Sequence, residues 1–337
     1  MGESKSEVGM EGQRLGASAL PPVGVGTWSW GNRLLWRYHS QRDDPLLLHT
    51  FQTCIKAGLT FFDTADSYGT GKLQGRSEIL LGQGLSRLPP GQRQRVIVAT
   101  KLAPYPWRLG RRGFCKAAAA SRQRLGRPID LVQLHWSTAR YAPWQEKPLL
   151  QGLADQVQLG GAKAVGLSNM GPRRLRRVAG WMADSGVQVR SVQVQFSLLS
   201  QQPRQPGGVL EVCRELGIRV IAYSPLALGL LTGRYTVNHC PPGFRGWLFA
   251  RLLPHLEPLL ALMSELAADH GSTPAGVAVN WCRAHGTVPI PGLRHPRHVN
   301  VMEQALGWML SADECRALDQ ASQAVATLMP QNPFQSA

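Results

Sequence analysis

The strongest constraint on how this chain folds is a rhythm. Eight short apolar runs recur along it, with helical periodicity in the segments between them. The runs lie at 23–28, 59–63, 96–101, 131–135, 164–168, 192–196, 220–223 and 288–291. Helical segments lie at 45–57, 113–125, 148–158, 172–185, 208–216, 273–285 and 297–306. A strand that is apolar on both faces must be covered on both, which is the condition of a parallel sheet flanked by helices. Eight such units in series favour an α/β architecture closed into a single (β/α)8 TIM barrel. The competitor is an open doubly wound sheet, but no G-x-G-x-x-G follows an early strand.

Two stretches exceed the simple repeat. A Gly/Pro/Leu-rich excursion at 226–253 follows the seventh strand and leads into an apolar helix at 254–270. A last helix at 311–323 and a proline-containing tail follow the eighth repeat. Gly217 and Gly286 stand where helix C-caps are expected, and Ser272-Thr273-Pro274 reads as a cap with a first-turn proline. The expected layout is a flexible segment at 1–20, one barrel domain at 21–325 and a C-terminal tail at 326–337.

Composition narrows the function classes. With 43% hydrophobic residues the 337-residue chain buries a large core, and 17% charge is too little for a disordered protein. The formal charge of +16 raises nucleic-acid binding. Against it, the arginines are dispersed, the run Arg173, Arg174, Arg176 and Arg177 falls on one helix, and no aromatic stacking platform is interleaved. A basic face that attracts an anionic cofactor or substrate suits the charge better. The six cysteines form no C-x-x-C pair and no Cys/His cluster, so they read as reduced and no metal is expected. No run reaches the length of a membrane span. Glu3, Glu7 and Glu11, with no apolar stretch among them, match neither a secretory signal nor an organelle transit peptide.

Three strand-like runs end on chemically active residues. Phe61-Phe62 stops at Asp63 with Tyr68 one short turn on, Val96-Ile97-Val98-Ala99-Thr100 stops at Lys101, and Leu131-Val132-Gln133-Leu134 stops at His135. In α/β barrels the reacting groups gather at the carboxyl ends of the strands. Together the four suit reduction of a carbonyl. A phenol with a reference pKa near ~10 holds its proton at neutral pH but is a weak acid. A lysine beside it favours the phenolate, and a carboxylate behind the lysine keeps that lysine charged. The expected roles are therefore Tyr68 as acid, Lys101 as its tuner, Asp63 as the orienter of Lys101 and His135 as the group that directs the carbonyl. Singly, each also has an ordinary structural reading as a loop cap, surface lysine or interior histidine; Asp66 reads as a polar loop residue.

Other strand ends point to a nicotinamide cofactor. Ser168, Asn169 and Gln193 offer amide and hydroxyl groups able to clamp a carboxamide. Tyr223 is placed to stack on the ring, and Ser224, Pro225, Leu226, Gly229, Leu231, Gly233 and Arg234 to wrap a pyrophosphate. Ile290-Pro291-Gly292 leads to Arg294, Arg297 and His298 at a helix start, a site suited to phosphate and hence to NADPH over NADH. Trp30, Tyr105, Trp107 and Trp136 follow the first, third and fourth strands and suit a flat aromatic pocket.

Over residues 23–334 these phrases resemble the aldo-keto reductase superfamily. Within it the similarity is to the plant chloroplast pyridoxal reductases, carried by residues 26–36, 65–71, 103–108, 133–138, 194–200, 253–260 and 286–292. The resemblance implies NADPH-dependent reduction of pyridoxal to pyridoxine in vitamin B6 salvage, reversible with NADP. Asp63, Tyr68, Lys101 and His135 match the superfamily's catalytic four, and Ser168, Asn169, Gln193 and Tyr223 its nicotinamide contacts. Gly26, Thr27 and Trp28 join the implied cofactor set. Where relatives carry an acid followed by Asn for the adenine, this chain has Val301 and Met302, leaving Met302 to pack on the base. The resemblance implies a chloroplast address, whereas the N-terminus as given suits the cytoplasm. It implies a small-molecule aldehyde as substrate and a monomer or weak oligomer. A general aldehyde or sugar reductase and a non-catalytic nicotinamide-sensing subunit are the alternatives.

Overall fold

The structure, a computed structural model, describes residues 14–15 and 18–336. The expected flexible segment falls almost wholly outside them, apart from a short antiparallel pairing of Arg14–Leu15 with Ser18–Ala19. Eight parallel strands follow: β1 (Val25–Gly26), β2 (Phe61–Asp63), β3 (Ile97–Leu102), β4 (Ile129–Leu134), β5 (Ala162–Ser168), β6 (Val189–Gln195), β7 (Arg219–Tyr223) and β8 (Val288–Ile290). Each pairs with its sequence neighbours in unbroken order. The ends meet where Gly24 N donates to Pro289 O and Gly26 N to Pro291 O, both at 2.9 Å. Glycine is required at this seam: a Cβ on Gly26 would stand 2.7 Å from Ile290 O, and one on Gly24 2.4 Å from the Phe61 ring. Gly26, expected beside the cofactor, is thus a closure residue.

Strand parity sorts the barrel. Phe61, Ala99, Leu131, Ile221, Val288 and Ile290 fill its interior, while Phe62, Val98 and Val132 face outward into the helical layer. Two residues further along the inward face stand Asp63, Lys101 and Gln133. The apolar plug therefore ends in a polar floor.

The helical layer comprises α1 (Ser40–Lys56), α2 (Arg76–Ser86), α3 (Gly110–Leu125), α4 (Pro143–Gln158), α5 (Pro172–Asp184), α6 (Val209–Leu216), α7 (Phe244–Asp269), α8 (Pro274–Ala284), α9 (Pro296–Leu306) and α10 (Ala312–Ser322). Helix α2 departs from the sequence reading, which placed no helix there. Its Gly75, Gly82 and Gly84 weaken the helical signal, yet Gly82 and Gly84 serve close packing. A Cβ at Gly82 would meet the Arg124 carbonyl oxygen of α3 at 2.1 Å, and one at Gly84 the Phe51 ring of α1 at 2.7 Å. Helix α7 also begins ten residues before the expected Pro254 and carries Pro254 and Pro258 inside it. Burial of Leu248, Phe249, Leu252, Leu253, Leu256 and Leu259 outweighs the missing backbone donors.

Candidate active site

The polar floor is assembled from four strands. Lys101 Nζ donates to Asp63 Oδ2 at 2.5 Å, to Thr64 O at 3.0 Å and to the Tyr68 hydroxyl at 3.0 Å. All three ammonium donors are thereby used, and Lys101 is 1% exposed. The other Asp63 oxygen, Oδ1, accepts from Gln193 Nε2 at 2.7 Å and Gln133 Nε2 at 3.3 Å. Gln193, expected to clamp a carboxamide, donates one amide N–H to this carboxylate. Gln133 was not anticipated, although its inward parity opposite Lys101 is a signal that could have found it.

Helix α2 braces the strand end. Thr27 Oγ1 donates to Asp63 O at 2.8 Å, and both Thr27 and Thr64 hydrogen-bond the Ser77 hydroxyl at the start of α2. Thr27 is fully buried and so supports Asp63 rather than offering a surface to a cofactor. The turn that carries Tyr68 is closed by Tyr68 N donating to Ala65 O at 3.1 Å. Asp66 anchors it, accepting from Ala103 N and from Arg108. Burial lifts the Asp66 carboxyl to about 6, against the pull of Arg108.

Burial opposes the charge on Lys101, but Asp63 and Tyr68 outweigh it and raise its pKa above the ordinary lysine value. The Tyr68 phenol is also raised. Burial is the largest cause, Lys101 pulls the other way, and Asp63 adds to the rise. The expected lowering by Lys101 is thus present but does not set the net direction. The phenol keeps its proton, as an acid must before it acts.

His135 lies one residue beyond β4. Its N–H donates to Leu102 O at 3.1 Å and its carbonyl accepts from Asn169 Nδ2 at 2.9 Å, so the backbone is held on both sides. The ring meets Tyr68 edge-on, with centroids 5.8 Å apart. Burial first, and Lys101 second, hold its pKa well below the usual imidazole value. The ring is neutral, able to donate from one nitrogen and accept at the other.

The cofactor set divides. Ser168 and Asn169 are buried at the end of β5, with Asn169 at φ 59, and Ser224 after β7 is also left-handed at φ 54. The Tyr223 hydroxyl donates to Asn169 Oδ1 at 2.8 Å and accepts from Asn332 Nδ2 at 2.9 Å. Trp28 is partly exposed and packs edge-on against Trp36 at 4.7 Å. In the loop after β7, Pro225 is buried, Leu226 is half-buried, and Gly229 takes φ 109, a backbone that needs glycine. Gly233 and Arg234 are exposed. Leu231 is fully buried and Met302 nearly so, both packed in the core, which withdraws Leu231 from a pyrophosphate wall and Met302 from an adenine. Ile290 and Pro291 are buried at the seam, leaving exposed Gly292 beside half-buried Arg294 and His298. An unanticipated Arg245 reaches back from α7 to donate to Leu228 O at 2.8 Å.

Aromatic rings ring the mouth, though not the expected four. Tyr105 stacks on Trp107 at 4.6 Å and meets Trp136 edge-on at 6.1 Å. Phe334 of the tail stacks on Trp136 at 4.4 Å. Trp30 is fully buried, its indole N–H donating to Leu293 O at 2.9 Å, and belongs to the core instead of the substrate wall.

A parallel barrel with a lysine, a carboxylate, a phenol and a histidine gathered at its strand ends defines a carbonyl-handling α/β enzyme. Residues 22–323 match the model of the aldo/keto reductase family, and the chain belongs to that family of oxidoreductases. It is 47% identical over 326 residues to chloroplastic pyridoxal reductase of Arabidopsis thaliana, covering 96% of this chain and 89% of that one. It is 34% identical to an uncharacterised oxidoreductase of Mycobacterium bovis, covering 92% and 91%. Among solved structures it is similar to an aldo-keto reductase of Klebsiella pneumoniae in complex with NADPH, with TM-score 0.71 and 26% identity, covering 95% of each chain.

Proposed function

We propose that this protein reduces an aldehyde to a primary alcohol with NADPH, and that the aldehyde is pyridoxal, converted to pyridoxine in vitamin B6 salvage and reversibly with NADP. The observation that carries the reading is the bond pair from Lys101 Nζ to Asp63 and to Tyr68, with the neutral His135 ring beside the phenol. The 47% identity to a pyridoxal reductase supports the substrate, as does the aromatic mouth, since a pyridine ring stacks on such walls.

The residues past β7 and β8 suit a phosphate-bearing cofactor. Arg245 and Arg294 each hold a buried Nε with no partner among the described residues. Burial lowers the Arg294 pKa, and Arg245 and Arg42 add to the fall against the attraction of Asp43. An anion there relieves that crowding and supplies the missing acceptors. With Met302 in the core, preference for NADPH over NADH rests on these arginines.

A reduced nicotinamide, when bound, supplies hydride to the carbonyl carbon. Tyr68 gives its phenolic proton to the carbonyl oxygen, so the aldehyde gains one hydride and one proton and leaves as the alcohol. Lys101, kept charged by Asp63, stabilises the phenolate left behind, which then recovers a proton from water. His135 steers the carbonyl by donating a hydrogen bond to its oxygen.

The test is an aldehyde panel run with NADPH and NADH in parallel. Pyridoxal with NADPH should consume the reduced cofactor fastest, and Tyr68→Phe should lower kcat by at least ~100-fold while NADPH still binds. Turnover that survives this substitution sinks the mechanism. Preference for simple aldehydes over pyridoxal replaces the substrate with that of a general aldehyde reductase.

A further inference from the structure

The turn that delivers Tyr68 delivers a second hydroxyl. Ser67 Oγ lies 3.1 Å from His135 Nδ1. Ser67 is held between two anchored neighbours: Asp66, tied to Ala103 N and Arg108, and Tyr68, tied to Lys101. The His135 backbone is pinned at both its N–H and its carbonyl, so ring flip and tautomer remain to be decided. Among the described residues, Ser67 is the one side chain that hydrogen-bonds the His135 ring. In a neutral imidazole, the hydrogen bond made by one nitrogen sets what the other carries.

We infer that Ser67 is a positioning residue for His135: its hydroxyl donates to Nδ1 and so keeps the proton on Nε2, the nitrogen that meets the carbonyl oxygen of the substrate. The direction of the bond follows from what each atom can donate or accept. When Nε2 carries the ring proton, Nδ1 keeps a lone pair, and the serine O–H is the donor within reach of it. A carbonyl oxygen accepts and cannot donate, so only the Nε2–H form of His135 can hold it. Ser67 thus acts on the reacting oxygen through the His135 ring. Without the serine hydroxyl, Nδ1 loses its donor and the Nδ1–H tautomer, which presents a lone pair to the carbonyl, becomes populated.

This inference rests on the carbonyl-reduction reading but not on pyridoxal, and one of its readouts needs no substrate. Full-length protein labelled with [15N]histidine is compared as wild type, Ser67→Ala and Ser67→Thr, with His135 identified by its loss in His135→Gln. Wild type and Ser67→Thr should give the nitrogen shifts of the Nε2–H tautomer, and Ser67→Ala a mixture. On whichever aldehyde the wild type reduces best, Ser67→Ala should lower kcat about 10- to 100-fold, with the NADPH Kd within about twofold and Ser67→Thr recovering most of the rate. An Nε2–H tautomer retained in Ser67→Ala overturns the assignment. So does a threonine variant with the correct tautomer and no recovered rate. Failure of pyridoxal as substrate would remove the proposed substrate and leave the tautomer result standing.

Discussion

At the scale of single residues, the site works by setting burial against charge. Lys101 is buried and His135 half-buried, yet Lys101 stays charged because Asp63 and Tyr68 face it, whereas the one charge that acts on His135 is the Lys101 cation, and its ring stays neutral. A consequence is visible in the pH–rate profile. Both causes disfavour the imidazolium, so the folded pKa lies below the ordinary value, and neutral His135 persists until the pH falls well under 6.5. His135 should therefore contribute no acidic limb near 6.5 to kcat/KM. A limb at that pH, abolished in His135→Gln, would show a histidine that titrates as if exposed. The four proposed catalytic residues were legible in the chain because each ends, or closely follows, an apolar run. Their electrostatic balance was not, because the net rise of Tyr68 depends on burial and on Asp63 and Lys101 at once.

Among the elements, helix α2 shows how a weak local signal can carry a precise task. Ser77 in its first turn holds Thr27 and Thr64, and through them the backbone at Asp63, from which Lys101 takes its orientation. Glu78 on the same turn is bonded by Thr100 and Arg124, tying α2 to β3 and α3. The glycines that hide this helix from periodicity are the residues that let it approach. Gly82→Ala, usually a gain in helix propensity, should instead destabilise the fold by about 1–3 kcal/mol, because the 2.1 Å approach is to backbone that cannot rotate away. Urea unfolding checks this, and an unchanged or raised midpoint would refute it. Helix α7 makes the reverse point: the sequence reading started it at Pro254, and buried leucines carry it from Phe244 through two internal prolines.

Across the whole molecule, the C-terminal tail returns over the barrel mouth. Asn332 donates to Tyr223 and Asn169, Ser336 N donates to Asn169 O, and Phe334 lies on Trp136. The tail thus touches both the strand ends expected around the nicotinamide and the wall expected around the substrate. Phe334→Ala removes one face of that wall. Its KM for pyridoxal should rise about 3- to 10-fold, matching an aromatic stack of ~0.5–1.5 kcal/mol, while KM for a two-carbon aldehyde stays unchanged. Equal effects on both aldehydes would assign Phe334 to folding alone. By itself the sequence determined the barrel, the strand ends and the four groups that stand there. These follow from local pattern: apolar runs bounded by turns, with side chains alternating across each strand. Only the tertiary structure decided which expected residues reach the mouth. Trp30, Thr27, Leu231 and Met302 are covered by chain far away in sequence, Gln193 turns to Asp63 130 positions away, and Phe334 arrives from nearly 200 residues beyond Trp136. Those outcomes depend on packing and hydrogen bonds between distant segments, which no local pattern encodes.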